Sequence, residues 1–284
     1  MACGFDFPDP AKLSLDYHID RPRIVAMSVD PPVFQPGTST ALEVLYLDVD
    51  TAAPEQIRWE MCGLRDDVWV VNFGLDCFGQ SELVTLLGEQ NPIFWSPPAS
   101  SSDCLVETCG HYLPLLVTAE MDGEELYVSS MVEVYGSEVW TAEDLARPTL
   151  HERGVFLSHS RRADGRISLQ AEVDSRFEDL EWRWYVDDGV LLKTGRTRTQ
   201  GERDVTASLQ GSYRDHQGRA WSDNIWEIPN SPGVYRAVVV VNGRLRSPYK
   251  EEDWEEEDWE EDEDVWRSTS NPDQVWAIIE VVQP

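Results

Sequence analysis

Polar and apolar residues alternate with a period of two along much of the chain. From Ile167 to Val173, and again from Leu180 to Val186, every second residue is apolar. A period of two places alternate side chains on opposite faces of a strand, so both runs predict half-buried antiparallel strands. No apolar pattern with a helical period extends beyond one turn. The chain is therefore predicted to be all-β.

Two similar hairpin patterns occur, one near the middle of the chain and one at its end. Tyr112–Tyr135 combines two strands with an Asp-Gly turn at Gly123, and Tyr235–Val282 combines two strands with an Asn-Gly turn at Gly243. Asp-Gly and Asn-Gly pairs favour tight hairpin turns because both residues tolerate positive φ. Two such endings predict two β-sandwiches in tandem.

The predicted boundaries follow from these hairpins and from composition. Three prolines and no periodicity in residues 4–22 indicate an extended segment, and the second hairpin carries an insertion that the first lacks. We therefore expect a tether at 1–21, a first sandwich at 22–136, a connector at 137–149, and a second sandwich at 150–284 with an acidic insertion at 247–274.

Aromatic residues favour an immunoglobulin-like sandwich over a jelly roll or a barrel. The third predicted strand of each unit carries a tryptophan, Trp59 in the first and Trp182 or Trp184 in the second. Such a tryptophan fills the centre of an immunoglobulin core. Gly233 and Tyr235 enter the penultimate strand, where the tyrosine hydroxyl can hold the preceding turn. The predicted fold class is two tandem immunoglobulin-like β-sandwiches.

The five cysteines are unevenly distributed. Cys62, Cys77, Cys104 and Cys109 lie in the predicted first sandwich, and Cys3 lies near the start of the chain. Four cysteines in one small β-unit favour two disulfides and an oxidising compartment, with three possible connectivities. Cys104 with Cys109 is the easiest local bridge, which leaves Cys62 for Cys77. Buried free thiols in a cytosolic protein and a zinc site are the alternatives, although no gap has the short CxxC spacing.

Several short motifs resemble the poorly characterised lipoproteins of myxobacteria and their relatives. The resemblance rests on Asp20–Ile24, Asp30–Pro32, Pro36-Gly37, Ile57–Cys62 and Val275–Val281. It implies an extracytoplasmic protein at the outer membrane or cell surface with a lipid on Cys3, and it implies no activity. Because no charged and apolar leader precedes Cys3, we expect Met1-Ala2 to be a start added to a mature chain. The alternative is that Cys3 is an unmodified thiol.

The chain is strongly acidic. Its 284 residues include 23 Lys and Arg against 53 Asp and Glu, for a formal net charge of −30. Such a field repels nucleic acid and anionic lipid headgroups and attracts cations and basic proteins. We therefore expect no nucleic-acid partner, and membrane attachment only through a lipid on Cys3.

Twelve of the carboxylates form one segment of the insertion, close to three tryptophans. A solvated, extended loop is one interpretation, because like charges repel. Docking to a basic protein with the tryptophans as anchors is the second, and weak Ca²⁺ binding without a pre-formed cage is the third. No other cofactor is expected. The predicted contact residues are Glu251, Glu252, Asp253, Trp254, Glu255, Glu256, Glu257, Asp258, Trp259, Glu260, Glu261, Asp262, Glu263, Asp264 and Trp266.

No catalytic motif is present in the sequence. The five histidines are scattered, and Ser158-His159-Ser160 is predicted to be a loop. Nucleophile-elbow, zinc-protease, phosphate-loop and dinucleotide motifs are missing. We therefore predict a non-enzymatic structural or adhesive module at the cell envelope that contacts a protein partner through the acidic, Trp-containing loop. The alternative function is a cation-binding envelope protein that uses the same loop.

Overall fold

The computed structural model describes most of the predicted strands. It covers residues 17–30, 39–48, 54–62, 64–65, 68–69, 84–96, 110–121, 123–135, 154–174, 179–193, 196–200, 212–214, 219–243 and 273–284. Within these ranges every regular element is a β-strand. The prediction of an all-β fold is therefore confirmed.

Nine of these strands lie in the N-terminal half of the chain. They are β1 (Arg23–Asp30), β2 (Thr40–Leu47), β3 (Gln56–Cys62), β4 (Leu64–Arg65), β5 (Val68–Trp69), β6 (Val84–Gly88), β7 (Ile93–Trp95), β8 (Gly110–Met121) and β9 (Glu124–Tyr135). Their sheets have the orders β1-β2-β7, β6-β3-β8-β9 and β4-β5. The two larger sheets share one hydrophobic core. Trp59 is fully buried there and donates a hydrogen bond from Nε1 to Gln90 O (2.8 Å).

The C-terminal half contains the other nine strands. They are β10 (Phe156–Arg161), β11 (Ile167–Asp174), β12 (Asp179–Val186), β13 (Val190–Leu191), β14 (Arg196–Gln200), β15 (Ser212–Arg214), β16 (Arg219–Glu227), β17 (Gly233–Gly243) and β18 (Asp273–Gln283). The sheet orders are β10-β11-β16-β13, with β15 also paired to β16, and β14-β12-β17-β18. Trp182, Trp184 and Trp226 are buried in the core between these sheets.

The two halves share one antiparallel pairing order. In each half the first two strands pair with each other, as β1 with β2 and β10 with β11. The third strand pairs with the penultimate strand, as β3 with β8 and β12 with β17. The penultimate strand pairs with the last. With a hydrophobic core between its two larger sheets, each half has a β-sandwich-like architecture.

The two terminal hairpins differ in how they are connected. β8 and β9 join through a tight turn in which Gly123 has a φ of 76°, as predicted. In the second hairpin Gly243 pairs with Asp273 across the ribbon and with Leu180 of β12, so Asn242 and Gly243 lie inside β17. The predicted turn at Asn242-Gly243 is therefore wrong. Ladder pairing on both sides of β17 outweighs the local turn preference of the Asn-Gly pair.

A third hydrophobic cluster joins the two halves of the chain. It packs the outer face of β1 and β2 against the outer face of β17, and its buried members are Ile19, Val25, Ala26, Leu45, Leu47, Val238 and Val240. Val239 and Val241 point instead into the core of the C-terminal half. All four valines are 0% exposed, so β17 is buried on both faces from Val238 to Val241. Burial on both faces explains why this strand does not alternate.

Polar contacts accompany this apolar junction. The guanidinium of Arg236 donates from Nε to Asp187 Oδ2 (2.9 Å) and from Nη2 to the carbonyl oxygen of Asp48, just after β2 (2.6 Å). Gln274 of β18 accepts a hydrogen bond at Oε1 from the backbone nitrogen of Met27 in β1 (2.9 Å). Side chains and backbone groups of both halves are therefore tied together at one interface.

The end of the predicted tether contacts the C-terminal half. The backbone nitrogen of Ile19 donates to Val186 O (2.8 Å), and the nitrogen of Val186 donates to Tyr17 O (2.9 Å). His18 donates from Nε2 to Gly189 O (2.6 Å), and the side chain of Ile19 is buried in the third cluster. Residues 17–19 therefore bond to the C-terminal end of β12, beyond the residues of β12 that pair with β14.

The turn before β17 has the arrangement that the sequence predicts. The hydroxyl of Tyr235 donates to Ser231 O (3.1 Å) and lies 2.6 Å from Ser231 Oγ. The tyrosine ring also packs edge-on against Trp226, at a centroid distance of 6.4 Å. The prediction that this hydroxyl holds the preceding turn is confirmed.

Candidate functional site

Most of the residues predicted to carry function lie outside the part of the chain that the structure describes. This applies to Cys3, Cys77, Cys104 and Cys109, to the acidic segment 251–264, and to Trp266. The backbone of Cys62 lies in β3 opposite Val84 of β6. The lipid on Cys3, the disulfides and the contacts of the acidic segment therefore stay predictions. Among the residues that the structure describes, there is no helix that is long and apolar enough to cross a membrane.

The structure does define the stem from which the acidic segment extends. β17 and β18 pair without interruption from Gly233 opposite Gln283 to Gly243 opposite Asp273. The last described residue of β17, Gly243, and the first of β18, Asp273, are therefore adjacent. Because Val238–Val241 of β17 are buried and Gln274 is bonded to β1, this stem is a fixed part of the molecule.

A buried ion pair lies on the same sheet as the stem. Glu181 of β12 is 4% exposed, pairs with Asn242 of β17, and accepts a hydrogen bond at Oε1 from Arg183 Nε (2.8 Å). Burial lowers the pKa of Arg183, but the hydrogen bond and charge of Glu181 outweigh this effect and raise the pKa above its usual value. Arg183 is therefore a permanent cation that stabilises a buried carboxylate. Among the described residues no group of three His, Cys, Asp or Glu side chains could hold a metal ion.

A separate groove lies at the side of the C-terminal half, between β10 and β18. Its volume is about 400 Å³, and its lining consists of His159, Ser160, Arg161, Ile167, Glu280, Val281 and Val282. Ile167 and Val281 are buried and form its apolar floor. The groove was not predicted, because Ser158–Ser160 was expected to be a loop. That expectation is wrong: these residues are in β10 and pair with Ser168–Gln170 of β11.

The groove separates two edge strands. β10 and β18 each end the strand order of their own sheet, among the strands that the structure describes. Arg161 spans the gap, donating from Nη2 to Gln283 Oε1 (2.8 Å) and to Val282 O (3.4 Å). The backbone carbonyl of Val282 therefore points away from β17 and toward the groove.

Exposed apolar side chains continue from the groove onto the outer face of the β17–β18 ribbon. Val234 is 59% exposed, Ile278 50% and Val282 67%, and Val234 lies directly opposite Val282. Glu280 lies between Ile278 and Val282 on the same face. The sequence carries a signal for this surface. Ala277–Ile279 are three consecutive apolar residues, so apolar side chains point to both faces of β18 although it is the last strand of its sheet.

Comparison with known proteins finds distant structural likeness. No family model matches the chain, and no curated protein matches it. Among solved structures, the chain is similar to a Parabacteroides merdae β-glucuronidase with glycerol in its active site, at 10% identity and a TM-score of 0.22. The match covers 93% of this chain but only 24% of the β-glucuronidase chain.

We correct the prediction that the protein is not an enzyme; the matched structure is that of an enzyme. The prediction was based on missing motifs and scattered histidines, and neither accounts for residues that folding brings together. His159, Arg161 and Glu280, for example, line one groove. We therefore withdraw it. At this identity and TM-score, the likeness carries no argument for a glucuronidase activity of this chain.

Proposed function

We propose that the protein is an extracytoplasmic structural or adhesive module that contacts a basic protein partner through its acidic, Trp-containing segment. In this proposal, residues 22–136 and 150–284 are two immunoglobulin-like sandwiches in tandem. The shared pairing order of the two halves supports this fold, as do the buried Trp59 and Trp184 in their third strands. The hydrogen bond from the Tyr235 hydroxyl to Ser231 O supports this fold as well, because immunoglobulin-like sandwiches use such a tyrosine.

The observation that carries the contact role is the fixed stem at Gly243 and Asp273. A charged segment whose two ends are held together has fewer conformations to lose when it binds than a free chain end has. The net charge of −30 steers basic proteins toward the molecule. Trp254, Trp259 and Trp266 then supply the large apolar side chains that most often dominate binding energy.

Two variants of the full chain test this proposal with poly-L-lysine as the probe. The first replaces the acids of 251–264 by Gln and Asn and keeps the tryptophans. The second replaces Trp254, Trp259 and Trp266 by Ala and keeps the acids. Titration calorimetry at two salt concentrations should show binding and its salt dependence lost in the first variant. The second should bind more weakly with an unchanged salt dependence. Equal binding by all three proteins would overturn the contact role.

The alternative proposal is that the same acids bind Ca²⁺ weakly. The observation in its favour is the presence of twelve carboxylates within fourteen residues, since Ca²⁺ takes six to eight oxygen ligands. A cation that binds the folded state raises the melting temperature. A rise in Tm with millimolar CaCl₂ that is absent with NaCl of equal ionic strength, and absent in the Gln and Asn variant, would favour this alternative.

The envelope location is also a proposal, and the resemblance to the myxobacterial lipoproteins supports it. A lipid on Cys3 would attach the protein to the outer membrane or cell surface without any help from charge. Intact mass spectrometry of protein from the native cell tests this together with the disulfides. We expect the mass of an acylated chain. We also expect that, without reduction, an alkylating reagent fails to modify four thiols, those of Cys62, Cys77, Cys104 and Cys109.

A further inference from the structure

We propose that the edge of β18 with which no described strand pairs is a second binding site, which accepts an extended peptide strand of a partner protein. On the outer face of the added strand, alternate side chains should be apolar, basic and apolar. The site contains no residue of the acidic segment and goes beyond the proposed function. It consists of the backbone edge of β18, the groove beside it and the exposed residues Ile278, Glu280 and Val282.

The backbone of β18 is suited to pairing with an added strand. The carbonyl of Val282 points into the groove, where Arg161 donates to it. In an antiparallel strand the N–H and C=O of one residue point to the same side, and the side alternates from residue to residue. The β17–β18 register has no shift, so the backbone groups of Ile278 and Glu280 point to the groove side as well. An incoming strand would find a regular series of donors and acceptors.

Side chains on both faces of such a strand would find apolar surface. On the inner face they would enter the groove and reach its buried floor at Ile167 and Val281. On the outer face they would lie next to Ile278 and Val282, which are 50% and 67% exposed. A long edge strand with exposed apolar residues is a surface that proteins ordinarily protect, because it pairs readily with other chains.

Charge determines the chemistry of the partner. Glu280 lies between Ile278 and Val282 on the outer face, and the described residues include no cation within ion-pair distance of its carboxylate. Arg236, directly opposite on β17, is bonded to Asp187. A lysine or arginine of the partner would therefore pair with Glu280. The net charge of −30 favours such a basic strand and disfavours a second copy of this chain.

Arg161 occupies part of the edge, and its displacement should cost little. Its Nη2 lies 3.4 Å from the carbonyl oxygen of Val282, and its hydrogen bond to Gln283 is at the exposed surface. Exposed contacts of this kind contribute little to stability. The guanidinium can therefore move aside when an N–H of the added strand takes its place on Val282 O.

The test uses the full chain and a synthetic peptide of about ten residues, the length of a long strand. On one face of the peptide valine, lysine and isoleucine alternate as described above. A second peptide is N-methylated at the positions whose N–H would face β18, and a third carries Glu in place of Lys. Fluorescence anisotropy measures the affinity, and isotope-edited infrared spectroscopy detects added β-structure in the labelled peptide.

Two variants of the protein complete the test. Glu280→Pro removes an edge N–H that β17 does not use, which a strand edge tolerates. Glu280→Gln is its matched control, because it keeps the N–H and removes only the charge. We expect the first peptide to bind the wild type, and N-methylation or Glu280→Pro to weaken binding about tenfold or more. Glu280→Gln and the Glu-containing peptide should have smaller effects.

Three outcomes overturn the proposal. The first is failure of the unmodified peptide to bind, or equal affinity of the N-methylated peptide for the wild type, a result that does not depend on the folding of any variant. The second is a dimer in light scattering that Glu280→Pro dissociates, because the occupant is then a second copy of this chain. The third is binding that appears only after residues 247–272 are removed. Failure of the wild-type chain to bind poly-L-lysine, with peptide binding as expected, would reject the proposed acidic contact alone.

Discussion

The penultimate strands of the two halves carry equivalent rows of side chains in opposite environments. In the N-terminal half, Thr118 of β8 lies between Arg58 of β3 and Tyr127 of β9. In the C-terminal half, Val240 of β17 lies between Arg183 of β12 and Trp276 of β18. Tyr127 is 75% exposed, whereas Val240 is 0% exposed beneath β1 and β2. The same strand order therefore gives a solvent-facing sheet in one half and an interface in the other.

The ion pairs in these rows show the same contrast. Arg58 donates to Glu60 at 2.8 Å with its side chain 51% exposed, and Arg183 donates to Glu181 at the same distance with Glu181 4% exposed. The first pair contributes little because water screens it. The second must remain intact because a lone buried charge is costly. Local geometry alone therefore does not indicate what an ion pair contributes.

The largest expected effect comes from placing a charge in each row. Val240→Asp buries a carboxylate in the junction between the halves, and we expect a loss of unfolding free energy on the order of 4 kcal/mol. Thr118→Asp, at the equivalent position, should cost about 1 kcal/mol or less. Urea unfolding followed by tryptophan fluorescence measures both. Equal losses would mean that the outer face of β17 is no more buried than that of β8.

The next effect comes from the polar contacts of the junction. Arg236→Met leaves Asp187 without its main cation, and we expect a loss of about 3 kcal/mol. Arg58→Met removes an exposed ion pair and should cost about 0.5 kcal/mol. Calorimetry of the Arg236 variant should also resolve two transitions if the junction couples the halves. A single unshifted transition would contradict that role.

Two turn glycines, one in each half, have different surroundings. Gly189 has a φ of 90°, and a Cβ there would collide with the carbonyl oxygen of Glu227 and lie 3.0 Å from Trp226 Nε1. Gly123, in the β8–β9 turn, has a φ of 76° and open space around the same position. Gly189→Ala should therefore cost about 2 kcal/mol or more, and Gly123→Ala about 1 kcal/mol. Thermal unfolding distinguishes these values, and a smaller loss for Gly189→Ala would show that Glu227 can move aside.

The smallest effect concerns a single hydroxyl. Tyr235→Phe removes the hydrogen bonds to Ser231 but keeps the ring against Trp226, so we expect a loss of about 1 kcal/mol. Tyr127→Phe, at a 75% exposed position, should leave stability unchanged. Chemical denaturation of both variants provides the comparison. An unchanged free energy of unfolding in Tyr235→Phe would mean that the turn before β17 does not depend on this hydroxyl.

The sequence predicts the strands well where burial is one-sided. The alternating runs from Ile167 and from Leu180 are β11 and β12, with their apolar residues in one core. It fails where long-range pairing outweighs local preference. Asn242-Gly243 has the composition of a turn, and Ser158–Ser160 that of a loop, yet each extends a strand because a neighbouring strand pairs with it. The groove was missed for a similar reason, since its lining comes from β10, β11 and β18.

The alternation of apolar and polar residues is enough to predict that this protein is built from strands, because a period of two has only one regular backbone that buries alternate side chains. The composition likewise establishes a strong negative charge along the whole chain, which is densest at 251–264. Which strands are also covered on their outer face depends on how the two halves pack together. Val238 and Val240 cannot be distinguished in sequence from Val239 and Val241, yet one pair contacts β1 and β2 and the other fills a core. Their separate roles arise from the packing of distant segments, which no local pattern encodes.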